Sequence, residues 1–350
     1  AWALQDTLMP AMSWRLKRLR KKALRYRCWT INFKDFLNAK KLTSLEVIPI
    51  QQILYVKNAS QLVTPQGFSN EPAKGEDMKN LSVIENGSLL TVDGVIHAVG
   101  TDEEIKDKYH ELVEKAETID ARGKLVMPGL VDPHTHLVYA GSREQEYVMR
   151  LNGKSYMEIM EAGGGIHATT RATKAASFET LYEETKKRLD IMLLHGVTTV
   201  EIKSGYGLEL DQEIKQLKVA KKLNVDHPVD IATTFMGAHA IPEQYRSNPD
   251  RYVDEVINEM IPKVAEEKLA EFNDVFCEKG VFTPEQTKRI LEAGKQYGLI
   301  PKIHADEIEP YGGAELAVEI GAISADHLLK VSDEGIRLLA NSNTMAVLLP

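Results

Sequence analysis

The fold of this chain is decided by the segment LVDPHTH, which occupies residues 130–136. An apolar stretch at residues 125–127 precedes it, so we predict one buried strand over residues 125–136. His134 and His136 are one residue apart, and side chains at this spacing point to the same face of a strand. Two neutral imidazoles on one face provide half of a metal site. A polar strand end with two solvated histidines is the alternative interpretation.

The composition is that of a globular chain with a large core. The sequence has 350 residues, 43% hydrophobic and 27% charged, which fits one large domain or two. Its two cysteines, Cys28 and Cys277, make a disulfide framework or a Cys-rich zinc module untenable and favour a reducing, cytoplasmic location. The net charge of -8 argues against nucleic acid as a partner. No apolar run reaches the length of about 18 residues that a membrane span needs.

Positive charge is concentrated at the amino terminus. Residues 1–52 carry 11 Lys/Arg and 3 Asp/Glu, whereas the rest of the chain carries 32 and 48. We predict that residues 1–52 form a basic leader that is disordered or non-native. A targeting or surface-binding arm is the alternative, since the segment is rich in arginine and poor in acidic residues.

Residues 53–124 have the pattern of a small β-rich domain that is incomplete in itself. Asp93-Gly94 is a strong hairpin signal, and Asn86-Gly87 is interpreted as a turn ahead of a strand. We predict one helix, at residues 103–115, and short strands at residues 53–56, 88–92 and 95–99.

From residue 125 to residue 350 the pattern alternates between strands and helices. We predict seven strands, at residues 125–136, 197–203, 229–235, 272–277, 300–304, 322–328 and 344–349. The helices are predicted at residues 178–195, 211–223, 254–268, 284–297, 314–320 and 333–340. Repeated units of this kind indicate a parallel sheet. The predicted fold class is therefore α/β, a (β/α)8 TIM-type barrel truncated before its eighth strand, with a small β-rich N-terminal domain. An open doubly wound sheet is the alternative, although no G-x-G-x-x-G motif follows the first strand.

The histidines are clustered where a barrel of this kind carries its active groups, at the carboxyl ends of the strands. Five of the ten histidines fall at predicted strand ends. Core histidines would scatter along the chain instead. The clustering predicts a catalytic metal centre. The five are His134, His136, His239, His304 and His327.

Longer segments carry a resemblance to a known family. They include PGLVDPHTH on the first strand, HTHLVYAGSRE from His134, RLNGKSYMEIMEAGGGIHATTRAT from Arg150, VEIKSGYGLEL from Val200, IHADEIEPYGGAELA from Ile303 and AISADHLLKVSDEGI on the sixth strand. With these segments the chain resembles the amidohydrolase superfamily and, more narrowly, the imidazolonepropionase family of histidine degradation. The resemblance runs from about residue 53 to residue 350.

The resemblance implies a reaction and a cofactor. The reaction is hydrolysis of the cyclic amide of 4-imidazolone-5-propanoate, a small-molecule substrate, to N-formimidoyl-L-glutamate by a metal-activated water. One divalent metal ion, zinc or iron, is implied, with His134, His136 and His304 as its ligands. A single ion is favoured because Lys279 stands one position later than the bridging lysine of binuclear relatives.

The resemblance also implies roles for five further residues. Arg143 would hold the propionate of the substrate, because a guanidinium binds a carboxylate with two parallel hydrogen bonds. Tyr206 and His239 would also bind the substrate. Glu307 would hydrogen-bond the ring nitrogens or the attacking water, and His327 would orient the water or move a proton. For each residue, a structural or solvent-exposed position without a catalytic role is the alternative.

The chain departs from the family at its carboxyl end. The resemblance implies a metal-binding aspartate on the eighth strand, and the sequence stops at Pro350, before that strand. We therefore expect a fragment of a longer enzyme. The family tends to form dimers, so a homodimer is implied. Another cyclic-amide hydrolase or a deaminase of the same superfamily is one alternative function, and an inactive truncated remnant is the other.

Overall fold

The structure, a computed structural model, describes residues 51–65, 73–154, 158 and 164–349. The predicted leader at residues 1–52 lies outside this part except for its last two residues. The chain divides into two compact units, one ending at Pro128 and one starting at Gly129. Across the described ranges, no helix has both the length and the apolar character needed to cross a membrane.

The first unit is a mixed β-sheet with one long helix. Its strands are in the order β3-β2-β1-β4, and β5 also pairs with β1. The elements are β1 (Ile53–Thr64), a 3-10 turn (Gly75–Lys79), β2 (Ser82–Val92), β3 (Val95–Thr101), α1 (Asp102–Glu114), β4 (Glu117–Asp120) and β5 (Leu125–Val126).

The two turn predictions in this unit had different outcomes. Asp93 and Gly94 both have positive φ angles, 52° and 78°, and they join β2 to β3 as the predicted hairpin. The predicted turn at Asn86-Gly87 is wrong, because both residues lie inside β2. Gly87 pairs with Ala59 beside a register shift in β1, and a Cβ on Gly87 would lie 2.4 Å from the Cβ of Leu62. The glycine therefore serves the close approach of two strands rather than a turn.

The second unit is a seven-stranded parallel sheet whose strands follow one another in chain order from β6 to β12. Helices alternate with the strands, so the unit has an α/β barrel-like fold. The first elements are β6 (Leu130–Asp132), α2 (Glu144–Leu151), α3 (Ile166–Ala175), α4 (Phe178–Leu194), β7 (Val197–Lys203), α5 (Leu210–Asp226) and β8 (Asp230–Ala238). A 3-10 turn (Glu243–Tyr245) follows, and then α6 (Pro249–Glu255), a π-helical turn (Val256–Met260), α7 (Ile261–Glu266) and β9 (Phe272–Cys277). The last elements are α8 (Pro284–Gln296), β10 (Ile300–Ala305), α9 (Gly313–Glu319), β11 (Ser324–His327), α10 (Asp333–Ala340) and β12 (Met345–Val347).

The predicted first strand of the barrel, residues 125–136, is wrong in extent. Leu125 and Val126 pair with β1 in the sheet of the first unit, and the barrel strand β6 covers only Leu130–Asp132. Pro133 has no N–H to donate to a sheet, which is a physical reason for the strand to end before it. His134 and His136 therefore lie after the strand, in a segment without regular secondary structure, where the period-two argument does not apply.

Two predicted helix starts are confirmed by their caps. The Ser177 hydroxyl accepts the N–H of Thr180 at the start of α4, and Thr283 forms a capping box with Gln286 at the start of α8. The helix predicted at residues 254–268 instead begins at Pro249 and contains the π-helical turn. Pro262, at the start of α7, cannot donate the usual helical hydrogen bond, which accounts for the irregularity.

The strands of the barrel have one apolar face and one polar face. On β7, Val200 and Ile202 belong to the core cluster that also contains residues of α4 and α5. Glu201 and Lys203 alternate with them and are buried as well. The same alternation recurs on β10 and β11, so the face of the sheet away from the helices carries buried charge.

Candidate metal centre and active site

Three histidine side chains meet at the carboxyl edge of the parallel sheet. His134 and His136 follow β6, and His304 lies near the end of β10. The ligand atoms of all three lie within 4.8 Å of one another. The Nε2 atoms of His136 and His304 are 3.3 Å apart. Two nitrogens bound to one tetrahedral zinc ion at about 2.0–2.1 Å would be separated by about 3.3–3.4 Å, so the spacing fits a shared ion.

The other ring nitrogen of each histidine is held by an oxygen atom. His134 Nδ1 lies 2.7 Å from Oδ2 of Asp326, and His136 Nδ1 lies 3.1 Å from the carbonyl oxygen of Ser204. Because a carbonyl and an ionised carboxylate only accept hydrogen bonds, both Nδ1 atoms donate. The Nε2 lone pairs are thereby left for a metal ion, an arrangement that is usual for metal-binding histidines.

His304 is held by Asp274 in two ways. Its backbone N–H donates to Oδ1 of Asp274 at 3.1 Å, and its Nδ1 lies 3.0 Å from Oδ2 of the same carboxylate. The ring contact is electrostatic, because it falls outside the angular limits of a hydrogen bond. Burial lowers the pKa of both His136 and His304 well below the usual value, and nearby positive groups lower it further. Both rings are therefore neutral at pH 7, the form that binds a metal ion.

A buried ammonium group links the two carboxylates. Nζ of Lys203 lies 2.7 Å from Asp274, 3.1 Å from Asp326 and 2.7 Å from Glu201. Burial by itself would lower the pKa of Lys203, but these carboxylates raise it. Burial likewise would raise the pKa of Asp274 and Asp326, but Lys203 holds both below their usual range. All three groups are thus kept charged by one another.

Two overlapping groups of side chains could hold a metal ion in the described part of the chain. One is His134, His136 and His304, and the other is Asp274, His304 and Asp326. In the second group, both carboxylates already contact the Lys203 ammonium. The three histidines are therefore the better metal site.

A second aromatic layer lies against the histidines. The His239 ring stacks on that of His136, with centroids 4.5 Å apart and an interplanar angle of 11°. The Tyr206 ring centroid is 5.5 Å from both. Burial lowers the pKa of His239 to about 4 and raises the pKa of Tyr206. These two neutral rings form a wall of the site.

The loop that carries Tyr206 is held by a buried carboxylate on α5. Glu213 accepts the backbone N–H groups of Gly205, Gly207 and Leu208 at 3.0, 2.7 and 2.8 Å. Gly205 has a φ of 114°, and a Cβ there would lie 2.7 Å from Nδ1 of His239. Only glycine allows the loop to pass this close to the imidazole.

Glu307 and His327 lie beside His134 and His304. Oε2 of Glu307 is 3.6 Å from Nε2 of His327, whose ring centroid is 5.0 Å from that of His134. Burial raises the pKa of Glu307, and Glu278 raises it further. Burial lowers the pKa of His327 to about 4. His327 has a φ of 76°, a strained value for a residue other than glycine and one that is frequent at functional sites.

Arg143 stands at the start of α2 and is engaged by a carboxylate. Its Nε and Nη2 donate to Oε2 of Glu146 at 2.9 and 2.7 Å. Its charge also lowers the pKa of Tyr206, partly opposing the effect of burial. The structure thus brings seven of the eight predicted site residues into one cluster, and it places Arg143 near enough to act on Tyr206.

The carboxylates and lysines beneath the histidines were missed from the sequence. No role was predicted for Glu201, Lys203, Asp274, Lys302 or Asp326. A signal was present, because charged residues alternate with apolar ones in part of these strands, as Glu201 and Lys203 do with Val200 and Ile202. Such a pattern indicates a buried polar face rather than a solvated one when the strand lies inside a parallel sheet.

Comparisons with known proteins place the chain among hydrolases. The Amidohydrolase family model matches residues 117–200. The chain is 66% identical to the imidazolonepropionase of Geobacillus sp. (strain WCH70) over 297 residues, which are 85% of this chain and 70% of that protein. It is 64% identical to the imidazolonepropionase of Geobacillus kaustophilus (strain HTA426), with the same coverage.

A solved structure has a similar fold. The crystal structure of 5-methylcytosine deaminase from Klebsiella pneumoniae matches with a TM-score of 0.57 and 18% sequence identity. The match covers 84% of this chain and 65% of that one. At this identity the likeness concerns the fold alone.

The role of Glu213 in holding the Tyr206 loop can be tested by hydrogen exchange. In Glu213→Gln, an amide NH2 replaces one acceptor oxygen and faces backbone donors. Gly205 donates to Oε2 and Gly207 and Leu208 donate to Oε1, so the NH2 group faces either the first amide or the other two. Since an unsatisfied buried donor costs about 1–3 kcal/mol, we expect exchange to accelerate about tenfold or more at the amides that face the NH2 group. Glu209→Gln, a nearby exposed change, is the control. Unchanged protection of all three amides in Glu213→Gln would contradict the assignment.

Proposed function

We propose a function on the premise that this chain belongs to the imidazolonepropionase family of the amidohydrolase superfamily. It is a metal-dependent hydrolase that acts on the C–N bond of a cyclic amide. It converts 4-imidazolone-5-propanoate and water to N-formimidoyl-L-glutamate, a step of histidine degradation. The observation that carries this proposal is the convergence of three imidazoles beside a partly buried carboxyl group.

The three histidines are the proposed ligands of one divalent ion. Zinc and iron both suit imidazole donors, so either metal is consistent with His134, His136 and His304. When bound, the ion polarises the ring carbonyl and lowers the pKa of water. The chain itself contributes the orientation of the imidazoles, through Asp326, the Ser204 carbonyl and Asp274.

Glu307 is the proposed proton acceptor. In the reaction a water oxygen bonds to the ring carbonyl carbon, the ring C–N bond breaks, and a proton reaches the leaving nitrogen. The pKa of Glu307 is raised by burial, which brings the carboxylate closer to neutral pH and makes it a better base. His327 lies 3.6 Å from this carboxylate and is placed to pass the proton on or to orient the water.

The substrate is proposed to lie between the histidine group and the wall of neutral rings. Its flat ring would stack near Tyr206 and His239, whose ring centroids are 5.5 Å apart. Its propionate would meet Arg143, because a guanidinium binds a carboxylate with two parallel hydrogen bonds. In this arrangement the carboxylate fixes which face of the ring is presented to the water.

The finer description of the fold is also a proposal. We infer that the seven parallel strands belong to an eight-stranded (β/α)8 barrel, and their consecutive order supports this. We infer likewise that the unit ending at Pro128 acts as a small β-rich domain and the unit starting at Gly129 as the hydrolase barrel, four residues later than the predicted boundary. The homodimer and the cytoplasmic location stay predictions.

Removal of one proposed ligand tests the metal and the reaction together. In His304→Ala we expect the bound metal to fall from about one ion per chain to a trace. Hydrolysis of 4-imidazolone-5-propanoate should slow by at least about 10²-fold. Metal content is measured by mass spectrometry of the purified protein, and turnover by loss of the imidazolone absorbance. His110→Ala, at an exposed position of α1, is the control. A His304→Ala protein that keeps its metal and its rate would refute the ligand assignment.

Arg143 is tested by a change that keeps its charge. Lysine lacks the two-pronged geometry, so in Arg143→Lys we expect KM to rise about 10–100-fold with little change in kcat. An imidazolone without the propionate provides the control, because the parent protein and Arg143→Lys should process it equally well. If KM for the natural substrate does not change, Arg143 does not bind the propionate.

A further inference from the structure

The side chain of Lys203 lies beneath the histidine group, fully buried at the end of β7. An ammonium group in such a place is costly unless several acceptors surround it. Glu201, Asp274 and Asp326 provide those acceptors at 2.7, 2.7 and 3.1 Å. Two of these acceptors, Asp274 and Asp326, also contact proposed metal ligands.

The contacts of Asp326 fix both of its oxygen atoms. Oδ2 accepts from His134 Nδ1 at 2.7 Å and lies 3.1 Å from the Lys203 ammonium. Oδ1 accepts from the Ser324 hydroxyl at 2.6 Å. The carboxylate therefore has one orientation that satisfies all three partners, and that orientation determines the direction of the His134 ring.

Asp274 is fixed in a similar way. Oδ2 accepts from the Lys203 ammonium at 2.7 Å and lies 3.0 Å from His304 Nδ1. Oδ1 accepts the backbone N–H of His304 at 3.1 Å. A single ammonium group is thus shared by the two carboxylates that orient two different imidazoles.

We propose that Lys203 is a positioning residue for the metal centre. Its ammonium holds Asp274 and Asp326 in place, and these carboxylates hold His304 and His134 with their Nε2 atoms turned toward one ion. The proposal rests on the proposed function, because it requires that the histidines bind a metal.

The chain contains a natural comparison in a second buried lysine. Lys302 is on β10, 5% exposed, and its Nζ lies 2.6 Å from Oε2 of Glu201. It acts on Asp274 and Asp326 through space rather than as one of the hydrogen-bond donors to these carboxylates. Removal of the Lys302 ammonium takes away one positive charge from a buried lysine, as removal of the Lys203 ammonium does. It leaves the contacts of Lys203 with Asp274 and Asp326 in place.

The experiment compares Lys203→Met with Lys302→Met in the whole purified chain. The Kd for Zn²⁺ is measured by competition with a coloured chelator. Loss of a group that orients metal ligands typically weakens metal binding about 10–100-fold, so we expect this rise in Kd for Lys203→Met. Lys302→Met should bind close to the parent value. The visible absorption of the Co²⁺-loaded protein should change for Lys203→Met alone, since it reports ligand geometry.

A pair of charge-balanced double variants tests whether misfolding, rather than loss of the Lys203 contacts, causes the change in metal binding. Lys203→Met/Glu201→Gln and Lys302→Met/Glu201→Gln each remove one positive and one negative charge. Glu201 contacts both lysines, and no role in holding a histidine is proposed for it. The raised Kd and the altered Co²⁺ spectrum should follow the loss of Lys203 in this pair also. If both Lys203 variants fail to fold while both Lys302 variants fold, Lys203 serves the fold and the proposal is overturned.

The metal-binding measurements distinguish failure of the positioning role of Lys203 from failure of the proposed function. A parent protein that binds no metal would defeat the proposed function. A parent that binds metal, together with equal Kd values for the Lys203 and Lys302 variants, would overturn only the positioning role.

Discussion

Buried charge must be paired, and this requirement governs the interior face of the parallel sheet. Three carboxylates and two ammonium groups lie there, on Glu201, Lys203, Asp274, Lys302 and Asp326. An isolated ion in such a place would cost several kcal/mol, and each group is stable because its neighbours replace the water that it loses. The formal sum is one negative charge, which favours a cation at the adjacent imidazoles. Within this network, Asp274 and Asp326 are the carboxylates that contact His304 and His134.

The same physical device organises the loops around the histidines. Glu213 accepts three backbone N–H groups of the Tyr206 loop, and Glu278 accepts those of Glu307 and Ile308. Asp306, which immediately precedes Glu307, accepts the backbone N–H groups of Gly313 and Ala314 at the start of α9. The Tyr206 loop and the segment that carries Glu307 are therefore both held by buried carboxylates. This explains how side chains on loops can keep the fixed geometry that catalysis requires.

Most helix and strand positions of the second unit could be predicted from local sequence patterns, but the contacts among its buried charged residues could not. Capping signals such as Ser177 and Thr283 marked helix starts, because a cap acts within four residues. The predicted first strand extends too far at both ends, because pairing of Leu125 with β1 depends on contacts distant in sequence and β6 ends before Pro133. Lys203 and Asp274 are 71 residues apart, so their contact follows from the sheet order rather than from any local pattern. The histidines were found because strand ends of a parallel sheet share one edge.

The three imidazoles of His134, His136 and His304 are proposed to share one metal ion at that edge. X-ray absorption spectroscopy of the metal-loaded protein measures the atoms around the ion directly. We expect a shell with three imidazole nitrogens at about 2.0–2.1 Å for zinc, with the outer-ring scattering that histidine produces. A shell of oxygen atoms without imidazole scattering, or one containing sulfur, would contradict it.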